Sequence, residues 1–121
     1  MLGPLTNVGE ALEAAPGLVM NIEMITVMGG AVQVAGNVGA SSNIENEGAE
    51  WNIYVDPRAA AVVFSSGAPV TLVPLDATNY VPLTMDFYKR LERDRTTSVA
   101  EFVYRVLAAR EENVRSGRYY F

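Results

Sequence analysis

The residues whose types and spacing suggest chemistry are Asn37, then Glu50-Trp51-Asn52, with Asp76 and Thr78 further along. A glutamate flanked by amides suits a polyhydroxylated ligand such as a sugar. The carboxylate accepts from two hydroxyls, while each asparagine both donates and accepts. The plainer alternative puts Asn37 in a turn and leaves Glu50 and Asn52 as ordinary solvated residues. Trp51 is equally suited to stacking on a sugar or base ring and to packing. Asp76 and Thr78 read most simply as an Asx-type turn holding a strand end, and Asp56 before Pro57 as a helix cap. Met28, at a strand tip, reads more simply as packing than as ligand contact. The glycine-rich run 29–39 is not a phosphate loop: no Lys-Ser/Thr follows it, and its spacing is not G-x-G-x-x-G.

Composition narrows the chemistry further. The 121 residues are 50% hydrophobic, which suits a globular domain or part of one and argues against disorder. With no cysteine and no histidine, the chain has no disulfide, thiolate zinc site, cysteine nucleophile or His-based triad of its own. The net charge of −5 is uneven: residues 1–57 carry seven acids and no base, giving −7, and residues 58–121 carry +2. Nucleic acid is therefore an unsuitable partner, because phosphate contacts need clustered Lys and Arg. No apolar run reaches the roughly 20 residues of a membrane span, and the N-terminus lacks the basic start of a secretory signal. The expectation is a soluble, cytoplasmic protein with no membrane or nucleic-acid partner.

These residues must be positioned by an α/β framework. Thr6 or Asn7 is expected to cap a first helix with Val8, Ala11, Leu12 and Ala15 on its apolar face, stopped by Pro16-Gly17. Residues 22–28 read as a buried strand ended by Gly29-Gly30, and residues 31–48 as a long polar loop. Asp56-Pro57 opens a helix running through Ala60, Val63 and Phe64 to Gly67, and residues 69–75 form the second strand. Two helices follow. The first uses Phe87, Tyr88 and Leu91. The second carries Val99, Phe102, Val103, Val106, Leu107 and Arg110 at helical spacing and is expected to turn that stripe to the core. The order predicts two parallel strands joined by a right-handed crossover, with ligands at their carboxyl ends. Two such strands leave unpaired edges, so the sheet is expected to be completed by further strands, a second chain or more of the same polypeptide.

Taken in order, Leu2-Gly3-Pro4-Leu5-Thr6-Asn7, Val27-Met28-Gly29-Gly30, Gly36-Asn37, Ala49-Glu50-Trp51-Asn52-Ile53, Asp56-Pro57-Arg58-Ala59-Ala60 and Leu75-Asp76-Ala77-Thr78 resemble the inosine–uridine preferring nucleoside hydrolases. The resemblance implies a segment of a mostly parallel, Rossmann-like open sheet flanked by helices. It also implies a calcium-dependent N-ribohydrolase of nucleoside salvage, which splits ribonucleosides into base and ribose through an oxocarbenium-like transition state. By motif, Leu2 matches a residue whose main-chain carbonyl ligates calcium, and Met28 matches one lining the ribose. Asn37, Glu50 and Asn52 match the polar contacts to the ribose hydroxyls, with Asn43 the alternative to Asn37 across a longer intervening segment. Trp51 stands where the family commonly has another aromatic.

The family's Asp-rich motif, which supplies calcium ligands and the general base, would precede Met1. A further calcium-ligating Asp lies beyond a position resembling Tyr119-Tyr120-Phe121. The match is thus to the middle portion of the family's domain, residues 1–121, with no internal boundary expected. On this reading the isolated chain holds no catalytic residue and is expected not to turn over nucleosides. The alternative from a different class is a non-catalytic ribose- or nucleoside-binding, self-assembling α/β module. Either way, a homo-oligomer or the remainder of the same domain is the expected partner.

Overall fold

A computed structural model describes residues 1–41 and 43–117; Ser42 and residues 118–121, with the Tyr119-Tyr120-Phe121 terminus among them, lie outside the described residues. The chain forms two compact units, 1–77 and 78–121.

The first unit is the α/β part. Strands β1 (Ile25–Met28) and β2 (Val70–Val73) pair in parallel, with Ile25 opposite Val70 and Met28 opposite Val73. Both strands are shorter than the sequence suggests. Pro16–Asn21 forms a 3₁₀ turn, and β1 begins only where β2 supplies a partner. The strands are also not buried on both sides: in β1, Ile25 and Val27 face inward and Thr26 is exposed. Alternation at period two places one face on a core formed by Leu5, Leu12, Ile25, Val27, Ala59, Ala60 and Val63. Helices α1 (Thr6–Ala14) and α4 (Pro57–Ser65) supply the rest of that core. The short helices α2 (Val38–Ser41) and α3 (Trp51–Val55), absent from the sequence expectation, lie between β1 and α4.

Sequence position 1 joins the sheet as well. The Met1 ammonium donates to the Thr26 carbonyl at 2.7 Å, and the Met1 carbonyl accepts from Met28 N at 2.9 Å. That is the bonding of a parallel bridge opposite Val27. Ile25 N and Gly29 N bond to Pro69 O and Val73 O on the β2 side, so β1 has a four-residue ladder on one edge and the single Met1 bridge on the other.

Asp56 caps α4 as expected, accepting from Ala59 N at 3.0 Å with Pro57 at the first turn. The expected cap of α1 is corrected. Leu5 occupies the N-cap position, where its side chain is needed in the core, and no side chain caps the helix. Thr6 instead donates its hydroxyl to Asp56 at 2.6 Å, tying the starts of α1 and α4 together.

Helix α5 (Leu75–Thr78) closes the first unit and ends at the boundary, and the second unit holds α6 (Met85–Asp94), α7 (Ser98–Ala108) and α8 (Glu111–Arg115). Thr84 and Thr97 cap α6 and α7 through Phe87 N and Ala100 N. The core is Leu83, Tyr88, Leu107 and Val114, with Leu91, Val103 and Tyr104 against it. Tyr104 stacks on Tyr88 at 5.4 Å and donates to Glu92 at 2.8 Å, which raises its pKa. The Arg95 guanidinium lies over the Tyr104 ring at 4.2 Å.

This arrangement corrects the expected packing face of α7. Val103, Tyr104 and Leu107 turn inward, while Val99 and Phe102 are 70% and 67% exposed and Val106 is also exposed. The stacked tyrosine sets the rotation of the helix, and half of the apolar stripe falls outside the buried arc. On α6, Phe87 is exposed as well, leaving Tyr88 and Leu91 to pack. Leu5→Ala should therefore lower stability by about 2–5 kcal/mol. Phe102→Ser should stay within about 0.5 kcal/mol of wild type in urea denaturation. A comparable loss at Phe102 would mean that the outer face of α7 is buried.

Candidate functional site at the ends of the parallel strands

The site starts where β1 ends. After Met28 the chain turns through Gly29 and Gly30, and Gly30 has φ +82°, a backbone conformation that a side chain disfavours. The freed Gly30 N donates to Glu50 Oε2 at 3.0 Å, and Gly30 O accepts from Leu75 N at 2.9 Å. The turn is thus held between the start of α3 and the end of β2.

Glu50 is the N-cap of α3. Its extended backbone lets the carboxylate fold back onto the first turn, with Oε1 accepting from Asn52 N at 3.0 Å and Oε2 from Ile53 N at 3.2 Å. With Gly30 N, three backbone donors converge on a side chain that is only 3% exposed. Such burial is tolerable because the charge meets hydrogen bonds and the positive end of helical peptide dipoles. The carboxylate's first task is therefore structural, in contrast to the solvated alternative considered from sequence.

Asn52 follows in the first turn of α3 and sends its Nδ2 to Met28 O at 3.2 Å and to Met28 Sδ at 3.3 Å. Asn37 Oδ1 accepts from Trp51 N at 2.8 Å. Met28, Asn37, Glu50, Trp51 and Asn52 are thereby one hydrogen-bonded group at the carboxyl end of β1. Trp51 is 41% exposed and meets Tyr54 at a tilted 6.4 Å, so part of its ring system reaches solvent. Asn43 is exposed in the loop, and among the described residues no hydrogen bond joins it to the group, whereas Asn37 has that link.

The intervening loop is closed by its own backbone. Gly36 N donates to Glu47 O at 2.6 Å, Asn37 N to Ala49 O at 3.0 Å and Gly39 N to Asn46 O at 2.9 Å. A Cβ at Gly36 would run into the Ala49 carbonyl, so this crossing requires glycine.

Sequence reasoning misjudged Asp76. Its carboxylate makes a clamp across 43–44 residues instead of closing only a local turn. Oδ2 accepts from Val32 N at 2.9 Å and Oδ1 from Gln33 N at 2.7 Å. The Val32 bond, then the Gln33 bond, hold its pKa below 3.8 against the opposing effect of partial burial. An Asp directly after an apolar strand is the signal that pointed to it, but the partner loop cannot be read from local sequence. Thr78 Oγ1 is buried with no hydrogen-bond partner among the described residues.

Metal donors are sparse. Among the described residues, no three His, Cys, Asp or Glu side chains are grouped to hold a metal ion. The Leu2 side chain is 92% exposed, as a main-chain ligand would allow. One carbonyl with neutral amides does not match the six to eight oxygens, several of them carboxylate, that calcium takes. The described residues do not fit a complete calcium site. No described helix is long and apolar enough to cross a membrane.

Comparison with known proteins adds an independent view. The family model described as inosine-uridine preferring nucleoside hydrolase matches residues 1–119. The chain is 41% identical to the pyrimidine-specific ribonucleoside hydrolase RihB of Escherichia coli O1:K1, over 76% of this chain and 27% of that protein. It is 36% identical to nucleoside hydrolase 3 of Arabidopsis thaliana, over 86% of this chain and 14% of that one. The crystal structure of an inosine-uridine preferring nucleoside hydrolase from Bacillus anthracis superposes with a TM-score of 0.78 at 34% identity, covering 88% of this chain and 35% of that one. The chain spans about a third or less of the length of these relatives.

Removing the Glu50 carboxylate should orphan three backbone donors, so Glu50→Ala should cost about 1–3 kcal/mol and speed amide exchange at Gly30, Asn52 and Ile53. Unchanged exchange at Gly30 would remove Glu50 as the tie. Acid should act through Asp56 and Asp76. Thr6, then Ala59 N, lower the Asp56 pKa, as Val32 and Gln33 lower that of Asp76. Groups with depressed folded pKa values stabilise above the unfolded value, and that stability is lost as pH falls through the folded one. Stability should therefore decline as pH drops below 3.8, and Asp56→Asn with Asp76→Asn should flatten the decline in a pH series of urea denaturations.

Proposed function

Because this chain belongs to the inosine-uridine preferring nucleoside hydrolase family, we propose that its residues build the ribose-facing half of a nucleoside N-ribohydrolase site. The observation that carries this reading is the hydrogen-bonded group of Met28, Asn37, Glu50, Trp51 and Asn52 at the carboxyl end of β1. With Oδ1 committed to Trp51, Asn37 presents its Nδ2 donor to a ribose hydroxyl. Asn52, with Nδ2 turned to Met28, presents its Oδ1 acceptor. Glu50 fixes both amides through α3 and has acceptor capacity left on Oε1. Met28 offers an apolar, polarisable contact to the sugar, and the exposed part of Trp51 a stacking face. Donors and acceptors held this way need no reorganisation as charge develops on the sugar ring, which is how fixed dipoles favour an oxocarbenium-like transition state.

Calcium belongs to this proposal only through the Leu2 carbonyl. The described residues supply neither its carboxylate cage nor a general base, so the 121-residue chain by itself is assigned ribose binding without turnover. Both units are taken as parts of one hydrolase domain, since the family match runs across 1–119. A cytoplasmic, salvage role follows from the family reading. The choice between purine and pyrimidine nucleosides does not follow from the residues assigned to the ribose.

The test is titration of inosine and uridine into the chain, with release of reducing sugar followed in the presence and absence of calcium. The expected result is weak, saturable binding without ribose release, with binding lost in Asn52→Ala. In an active full-length relative, the equivalent substitution should lower turnover by about 10²–10³. Ribose release by the chain at enzyme rates would overturn the inactivity assignment, and binding unaffected by Asn52→Ala would remove that residue from the site.

The exposed Val99, Phe102 and Val106 on α7 favour a second reading, that of a self-associating binding module. Sedimentation decides between them: a monomer at micromolar concentration excludes the module, while an oligomer that binds inosine supports it.

A further inference from the structure

The loop after β1 is held by two carboxylates from different elements. Glu50 takes Gly30 N, and Asp76 takes Val32 N and Gln33 N. Packing does not explain the order of this loop: Val32 is 66% exposed, and Gln33 and Val34 are also exposed. Between Gly30, tied to Glu50 and Leu75, and Gly36, tied to Glu47, the backbone bonds to Asp76 are the described restraints. Two successive N–H groups aimed at the two oxygens of one carboxylate form a charge-assisted, directional clamp.

The same loop grows directly out of Met28, whose carbonyl and sulfur receive Asn52 Nδ2. A shift of residues 30–33 would therefore move the acceptor that orients the Asn52 amide. We infer that Asp76 is a positioning residue for the ribose-binding site, acting through Val32 and Gln33 on the Met28–Asn52 pair without touching the ligand itself. This assignment rests on the ribose reading above and extends it to an element on the far side of the sheet crossover. It also gives the Leu75-Asp76 step a task that a local turn would not have.

Structural and positioning roles separate experimentally. In the intact chain, Asp76→Asn keeps one acceptor oxygen and Asp76→Ala keeps none. Amide exchange and amide proton shifts report the loop without any ligand, and inosine titration reports the site. Asp56→Asn is the control, because Asp56 is also a bonded carboxylate in the first unit but makes its bonds to Thr6 and Ala59.

The expected order is wild type, then Asp76→Asn, then Asp76→Ala, both in protection of Val32 and Gln33 and in inosine affinity. Each step should be about two- to tenfold, the range of a typical net hydrogen-bond contribution. Asp56→Asn should lower stability while leaving inosine affinity unchanged. Loss of loop protection in the Asp76 variants with undiminished affinity would overturn the positioning role. So would an equal loss of affinity in Asp56→Asn, which would mark the effect as general destabilisation. A wild-type chain with protected loop amides and no inosine binding would overturn the ribose reading and this assignment with it.

Discussion

Three pieces of chain meet at the carboxylate of Glu50: the turn leaving β1, the first turn of α3 and, through that helix, the closed loop from Gly36 onward. A buried negative charge with fewer partners would be costly, because desolvation of a carboxylate is repaid only by good hydrogen bonds. Here the donors are backbone amides that themselves lack partners, at the start of a helix and at a glycine turn. Each side satisfies the other's need. The arrangement fixes α3 relative to the strand tip, and α3 carries Asn52 and Trp51. The geometry of the polar group is therefore set by backbone, with the side chains following.

Carboxylates do similar work elsewhere in the first unit. Asp56 joins the starts of α1 and α4, and Asp76 holds the loop beyond Gly30. None of the three has a lysine or arginine as its principal partner, which accords with a stretch of 57 residues that contains no base. The acidity of this half is in part a set of anchors for N–H and O–H groups. The second unit relies on other devices, namely threonine caps, the stacked Tyr88–Tyr104 pair and an arginine over an aromatic face.

The elements that were legible in sequence are those governed by local rules. Asp56-Pro57 reads as a helix start because capping is decided within three residues, and both strands read as β-branched apolar runs, the first ended by Gly-Gly and the second carried past Val73 to Leu75, beyond its observed end. The group around Asn37 and Glu50 was legible as chemistry, and the family was legible from six short motifs in order. What local sequence could not show depends on distant partners. Leu5 displaced Thr6 from the cap of α1 because the core needed leucine, and Tyr88 set the rotation of α7. The clamp made by Asp76 reaches a loop more than forty residues away. Helix α3 was missed because its start signal is a glutamate, a residue less often met as an N-cap than Asp, Asn, Ser or Thr.

Met1 pairs with the edge of β1 that faces away from β2. Where such hydrogen bonds form, that stretch of the strand edge is already occupied. Among the described residues, the outward row of peptide groups on β2 runs without a neighbouring strand along the four-residue ladder. A four-residue rim is a short template, and short templates recruit foreign strands poorly. Met28, by contrast, lies on the strand with a hydrogen-bonded neighbour on either side, so the open rim and the candidate site belong to different strands.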